Sequence, residues 1–272
     1  MPPIEHGWFY FPPLIPLNKD VFVQKTVISS LLAPLLFLSA SFADSLITQG
    51  EPQIQNGKIC VEFSIKKQGF ESNDFCMRQV AEKEVSLAVS PNFVKRYYLL
   101  TGDNLTEEHH SATGNIGFSV IKLGPSKTDP LDKHAEDERF DISLGFFGKA
   151  PSEFMFKNIG PDNHAFLTES MTSYQGMESG GINIIGENDT KIFTRYIPTM
   201  SSDLGYVGDE AIAEIITYSL HFIKDSQAAV YPLQITLNGT LDGITYQQKP
   251  YIFHFDETTN NYITPKNYPL NF

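Results

Sequence analysis

Short segments in which apolar and polar residues alternate recur along the chain from Lys58 onward, separated by Gly, Pro, Asn and Asp. Alternation with a period of two puts apolar side chains on one face of an extended segment and predicts half-buried strands. The candidate strands are Ile59–Lys66, Glu84–Val89, Asn115–Leu123, Phe140–Phe147, Ile182–Gly186, Lys191–Ile197 and Ile216–Phe222. The pattern predicts a mainly β protein, an antiparallel β-sandwich or sandwich-like sheets with one or two short helices.

One segment has helical spacing instead. Ser90 can cap a helix and Pro91 suits the first helical position. The apolar residues that follow have helical spacing of three or four positions, and they are Phe93, Val94, Tyr97 and Leu100. Gly102 can end the segment. We therefore predict a short helix packed on the sheet. For Glu210–Ile216, one or two turns of helix are the alternative prediction to the start of a strand.

The clearest hairpin is centred on Asp242-Gly243, which suits a type I′ turn because both residues tolerate positive φ angles. The strand before the turn has apolar residues at Leu233, Ile235 and Leu237, and the strand after it has them at Tyr251, Phe253 and Phe255. Strict pairing across a two-residue turn puts these two sets on opposite faces. One extra residue near Lys249-Pro250 restores the phase, so we expect a bulge there.

An apolar, small-residue run at Val27–Phe42 is preceded by Lys25 and is typical of a secretory signal. Ser and Pro interrupt it, and it is shorter than the about 20 apolar residues that span a bilayer, which makes a membrane anchor the weaker alternative. Small residues before the junction place cleavage between Ala43 and Asp44. Residues 21–43 are thus the predicted signal peptide, and 44–272 the mature β-rich domain.

Residues 1–20 contain several prolines and the aromatic cluster Trp8-Phe9-Tyr10, which is unusual ahead of a signal peptide. A translation start assigned too early explains them, and a genuine extension is the alternative. Because Trp8 is the only tryptophan, the predicted mature chain contains none.

The two cysteines, Cys60 and Cys76, both lie in the predicted mature chain. An exported protein meets an oxidising environment, so we expect one disulfide between them. Closing a loop of this size stabilises the fold by about 3 kcal/mol in the chain-entropy model. A redox-active or metal-binding pair is the alternative, but the C-x-x-C spacing is absent.

The formal net charge is −12, from 20 basic and 32 acidic residues. It argues against sequence-independent binding to nucleic acid or to an anionic membrane, because both need a cationic surface. Acidic residues concentrate in Asp129–Asp141, which we interpret as a solvated loop. A seam near residues 124–139 would divide the mature chain into two lobes, although one continuous β domain, or two closely packed sheets, is preferred.

Metal-ligating residue types occur together at Glu107, His109 and His110, with Asp132 and Glu136 as further candidates. Adjacent histidines diverge on a regular element, so an irregular loop would have to bring them to one ion. The acidic run also lacks the alternation of a calcium-binding loop. We predict no cofactor, with a divalent metal at these five residues as the alternative.

No catalytic residue can be named, since G-x-S-x-G, the P-loop and the dinucleotide fingerprint are all absent. The leading hypothesis is an exported, soluble binding or interaction protein of the periplasm or cell exterior. Its partner would be a protein or a small-molecule ligand, with no nucleic acid and no stable membrane insertion after leader removal. The alternatives are a metal- or carboxylate-dependent hydrolase on a β scaffold and a structural subunit of an envelope or surface assembly. An unpaired edge strand would distinguish the last of these.

Overall fold

The computed structural model describes residues 47–55, 58–65, 73–88, 90–125, 133–189, 191–210 and 212–270. Strands dominate this part of the chain. They are β1 Ile47–Gln55, β2 Lys58–Ile65, β3 Asn73–Ser86, β4 Val94–Asn104, β5 Gly114–Leu123, β6 Lys133–Leu144, β7 Met155–Asn158, β8 His164–Tyr174, β9 Met177–Asn188, β10 Lys191–Ser202, β11 Ile215–Phe222, β12 Leu233–Leu241, β13 Ile244–Asp256 and β14 Asn261–Ile263. One four-residue helix, α1, spans Leu204–Val207.

The strands form two antiparallel sheets in which neighbours along the chain are neighbours in space. The first sheet has the order β1 to β6, and the second runs from β7 at one edge to β14 at the other. Antiparallel strands need no crossover connection, so strands that follow one another in the chain can lie side by side in the sheet. The predicted mainly β, antiparallel, sandwich-like fold is confirmed.

The strands β8 to β10 have a hydrophobic core on each face. One core joins them to the first sheet and includes Leu99, Phe118 and Ile185. The other joins them to strands β11 to β14 and includes Ile184 and Phe253. Burial on both faces explains the continuous buried run from Gly180 to Glu187 in β9, where a half-buried strand would alternate. We call β8 to β10 the middle layer.

The second sheet folds back on itself between β10 and β11. These two strands pair at only two positions, Ser201 with Ile216 and Ser202 with Ile215. Beyond this short junction the strands diverge, so that residues from both halves of the sheet enclose a single core. Polar residues of the middle layer, among them Asn183 and Glu187, lie opposite the first sheet.

The helix predicted after Ser90 is wrong. Ser90 to Asn92 form a turn, in which the amide of Phe93 donates to the carbonyl of Ser90 at 2.8 Å, and β4 follows. The inward face of β4 begins with a lysine, Lys95, followed by Tyr97 and Leu99. Because a charged residue occupies an inward position, the alternation of apolar and polar residues along β4 cannot be seen in the sequence. The remaining apolar residues are three or four positions apart, which is the spacing of a helix.

The interpretation of Asp129–Asp141 as a loop is wrong from Lys133 onward. Strand β6 begins there and includes the second half of the acidic run. Charged side chains are common on strands at the edge of a sheet, because they oppose pairing with other chains. Residues 126–132 lie outside the described residues.

The predicted hairpin and its bulge are confirmed. Asp242 and Gly243 have φ angles of 50° and 71°, as a type I′ turn requires. Leu237 pairs with Lys249 and Gly239 pairs with Tyr246, so β13 contains one extra residue between Tyr246 and Lys249, just before the expected position of the bulge. The extra residue brings Leu233 opposite Phe253, so the two apolar sets share one face.

Candidate functional site

The predicted disulfide is present and joins two neighbouring strands of the first sheet. Cys60 of β2 and Cys76 of β3 are bonded, with their Cα atoms 5.3 Å apart, and both are buried. The pair is therefore structural, and the alternative of a redox-active or metal-binding pair of thiols is not supported by this geometry. The predicted cleavage site, Ala43 and Asp44, lies outside the described residues.

The metal candidates that can be placed lie in the exposed loop between β4 and β5. His109 Nε2 is 3.5 Å from a carboxylate oxygen of Glu107, and His109 Nδ1 is 3.0 Å from the hydroxyl of Ser111. His110 is exposed nearby. Asp132 lies outside the described residues, as does the side chain of Glu136. Within the described part of the chain, no group of three or more His, Cys, Asp or Glu side chains is arranged to hold a metal ion.

A cleft of about 290 Å³ lies where β6, the last strand of the first sheet, passes over the middle layer. Side chains and backbone of β6, β9 and β10 line it. The polar residues around it are Arg139, Asp141 and Ser143 from β6, Asn183 from β9, and Thr194, Arg195 and Tyr196 from β10. We call this space the β6 cleft.

A bulge in β6 turns one arginine toward this cleft. Ile116 pairs with Ile142, but Phe118 pairs with Arg139, so β6 has one residue more than β5 over this interval. Residues directly opposite in an antiparallel pair share a face, and Phe118 belongs to the core facing the middle layer. Without the extra residue, Arg139 would lie on the opposite face of the first sheet.

The β6 cleft is polar and partly open to solvent. Arg139 Nε donates to Asp141 Oδ1 at 3.2 Å, while half of the Asp141 side chain remains exposed. Asn183 on the floor of the cleft donates to the hydroxyl of Ser170 at 3.0 Å. Tyr196 is 43% exposed, and partial burial raises its pKa, which keeps the phenol protonated as a donor. These groups can donate to and accept from a polar ligand.

A second polar group is enclosed between the first sheet and the middle layer. Its members are Lys95 and Tyr97 of β4, Asn163 and His164 at the start of β8, and Glu187 of β9, and we call them the interlayer cluster. All five are buried, with exposures from 0% for Tyr97 to 8% for His164. Buried polar groups are costly unless they are hydrogen-bonded, so their contacts determine whether the layers can pack here.

The contacts of the interlayer cluster converge on the lysine amine and the glutamate carboxyl. Lys95 Nζ is 2.9 Å from Glu187 Oε2 and 3.3 Å from Asn163 Oδ1. The other oxygen of Glu187 accepts from the hydroxyl of Tyr97, which also lies 3.3 Å from His164 Nδ1. Each of the five side chains therefore has a polar partner inside the protein.

Burial shifts the pKa values of three members of the interlayer cluster, Glu187, Tyr97 and His164, in the direction that favours their neutral forms. Desolvation raises the pKa of Glu187, opposed by Lys95 and by the hydrogen bond from Tyr97. Desolvation also raises the pKa of Tyr97, with the Glu187 charge adding to it. The pKa of His164 falls to about 4, first because of burial and then because of the positive charge of Lys95. His164 is thus a neutral imidazole at physiological pH.

A short loop before β8 positions Asn163. The amide of Ile159 donates to the carbonyl of Asn163 at 2.9 Å, and Asn163 Nδ2 donates to the carbonyl of Ala229 at 2.9 Å. A Cβ atom at Gly160 would lie 1.9 Å from that same Ala229 oxygen, so only glycine allows the loop to pack there. The loop is therefore fixed by a hydrogen bond within it and by its contacts with Ala229.

Sequence reasoning missed the residues of both sites. The one available signal for the interlayer cluster was a lysine and a glutamate inside otherwise buried strands, at Lys95 and Glu187. For the β6 cleft, nothing in the local sequence indicates the bulge that reorients Arg139.

No helix in the described residues is long and apolar enough to cross a membrane. Comparison with protein-family models, with curated proteins and with solved structures finds no match to this chain.

Proposed function

We propose that this chain is an exported binding protein that holds an extended segment of a partner protein in the β6 cleft, as an additional strand beside β6. The observation that carries the proposal is that β6, the last strand of the first sheet, forms one wall of the cleft. An edge strand presents backbone donors and acceptors that an extended peptide can pair with.

The lining supports an extended peptide over an apolar ligand. Arg139 and Asp141 provide a cation and an anion at the cleft wall, and Asn183 and Tyr196 provide a donor and acceptor pair and a phenol on its floor. Backbone pairing supplies affinity in this mode of recognition, and side-chain contacts beside the strand supply specificity. The volume of about 290 Å³ suits a few residues of a peptide.

Two features support export. The segment Val27–Phe42 has the composition of a secretory signal, and the disulfide between Cys60 and Cys76 is of the kind that persists in oxidising compartments. We therefore place the protein in the periplasm or outside the cell, where its partner would be another exported or surface protein.

The proposal is tested by selecting peptides from a random library against the purified protein and measuring their affinity by fluorescence anisotropy. The selected peptides should bind at least about tenfold more weakly, or about 1.4 kcal/mol, to Arg139→Glu and to Tyr196→Ala. Tyr206→Ala is the matched control, because Tyr206 lies on α1 and is 73% exposed. It should bind the peptides as the unmodified protein does.

Backbone methylation of the peptide tests for strand addition in particular. In an added strand, alternate N–H groups point toward the neighbouring strand. Methylation of these nitrogens should abolish binding, and methylation of the intervening ones should not. Peptides that bind both cleft variants normally, or that show no alternation, would contradict the proposal. Self-association through β6 without peptide binding would favour a structural subunit instead.

A further inference from the structure

We infer that Lys95 and Asn163 form an amide cross-link between their side chains, with Glu187 handling the protons, so that β4 and the start of β8 become covalently joined. The inference rests on the interlayer cluster and is independent of the β6 cleft. It concerns a covalent modification made by the folded chain on itself.

The reacting groups are already in contact. Lys95 Nζ lies 3.3 Å from Asn163 Oδ1, which is one bond away from the carboxamide carbon that the amine would attack. The amine is also 2.9 Å from a carboxyl oxygen of Glu187. Holding a nucleophile and an electrophile together in a fixed geometry makes a slow bimolecular reaction effectively unimolecular.

The surroundings of Asn163 suit attack at its carboxamide carbon. The backbone amide of Asp189 donates to Asn163 Oδ1 at 3.2 Å, where negative charge develops as the carbon becomes tetrahedral. On the other side of the carboxamide, Nδ2 donates to the carbonyl of Ala229 at 2.9 Å. The carboxamide is thereby fixed in orientation, with its oxygen polarised by the backbone amide of Asp189.

Burial favours the protonated form of Glu187, which the reaction needs. Lys95, Asn163 and Glu187 are 4%, 1% and 2% exposed, so the ionised pair has lost almost all of its hydration. Desolvation raises the pKa of Glu187 and so favours its neutral acid. Proton transfer from the lysine to this carboxyl produces the neutral amine that acts as nucleophile.

The reaction balances without an added reagent. Starting from the ammonium of Lys95 and the carboxylate of Glu187, one proton passes to Glu187. The Nζ lone pair forms a bond to the carbon of Asn163, and the bond from that carbon to Nδ2 breaks. Nδ2 leaves as ammonia after taking a second lysine proton through Glu187. The third lysine proton stays on the nitrogen of the new amide, and Glu187 ends as the neutral acid.

Peptide mapping of the reduced protein tests the inference. The purified full chain should be lighter than its sequence by one ammonia, and digestion should yield a single linked peptide containing both Lys95 and Asn163. The loss should disappear in Lys95→Met and in Glu187→Gln. Lys157→Met is the matched control, because Lys157 is exposed on β7, and it should retain the link.

A second variant separates failed chemistry from failed folding. Asn163→Asp keeps an electrophilic carbonyl at the same place, so the linked peptide should form with loss of water in place of ammonia. Recovery of Lys95 in an unlinked peptide from the folded protein would overturn the inference. So would an ammonia loss that persists in Lys95→Met, since the Asn-Gly pairs at Asn56 and Asn238 can release ammonia by cyclising on their own backbone.

Discussion

Replacing His164 with Gln should remove much of the acid sensitivity of this fold. The imidazole is buried in the interlayer cluster and stacks on Phe156 with a centroid distance of 5.1 Å. Burial, followed by the charge of Lys95 in the unlinked chain, lowers its pKa to about 4, while the nearby Asp162 acts in the opposite direction. Gln keeps a polar side chain at this position but cannot take up the proton.

The sign and size of the effect follow from linkage between protonation and folding. Above the ordinary pKa of 6.5, His164 is neutral in both the folded and the unfolded chain and contributes nothing. Between pH 6.5 and about 4, the unfolded chain binds a proton that the folded chain does not, so stability falls as the pH falls. The full difference in pKa corresponds to about 3 kcal/mol of unfolding free energy.

Urea unfolding of both proteins at about pH 7 and at about pH 4 measures the effect. The unmodified protein should lose about 3 kcal/mol more than His164→Gln over this interval. The prediction concerns the difference between the two proteins. The raised pKa of Glu187 makes stability rise as the pH falls, opposite to the effect of His164, and this contribution is common to both proteins. Equal losses to within about 1 kcal/mol would refute a buried neutral imidazole at His164.

Three further predictions concern the disulfide, the leader and the metal candidates. Replacing Cys60 and Cys76 with Ser should lower the unfolding free energy by about 3 kcal/mol in denaturant titrations, and free thiols in the exported protein would contradict the pairing. Intact-mass analysis of protein made in an exporting host should give a chain beginning at Asp44 that lacks tryptophan fluorescence; a product that retains the tryptophan would contradict the cleavage site. Gently purified protein should retain no stoichiometric divalent ion, and a chelator should leave its melting temperature unchanged. A metal that is lost on substitution of His109 and His110 would favour the hydrolase hypothesis.

The sequence alone determined the mainly β class of the fold and one complete hairpin. Alternation of apolar and polar residues is a local property, since it follows from the geometry of an extended chain. The hairpin was predictable in detail because Asp242-Gly243 fixes the turn, and the turn fixes the register. The phase mismatch between Leu233 and Phe253 then required a bulge, which the structure contains within a few residues of the expected place.

Prediction from the local alternation of apolar and polar residues failed where a polar residue occupies an inward position. Lys95 faces the middle layer because Glu187, 92 positions later in the chain, pairs with it there. Nothing near Lys95 in the sequence indicates that partner, so β4 resembled a helix. Burying a lysine is favourable only when the partner is present, and only the packing of two layers brings the partner to it.

Tertiary structure alone determined the two candidate sites. The register of β5 against β6 cannot be derived as that of the hairpin was, because β5 ends at Leu123 and β6 begins only at Lys133. One extra residue in β6 then decides on which face Arg139 lies. A single-residue slip exchanges the two faces of a strand, so no local pattern can locate the β6 cleft. The interlayer cluster likewise needs three strands and a loop to meet, with Lys95 and Asn163 separated by 68 positions. Sequence periodicity specifies which residues can be buried, whereas the pairing of distant segments specifies which of them meet.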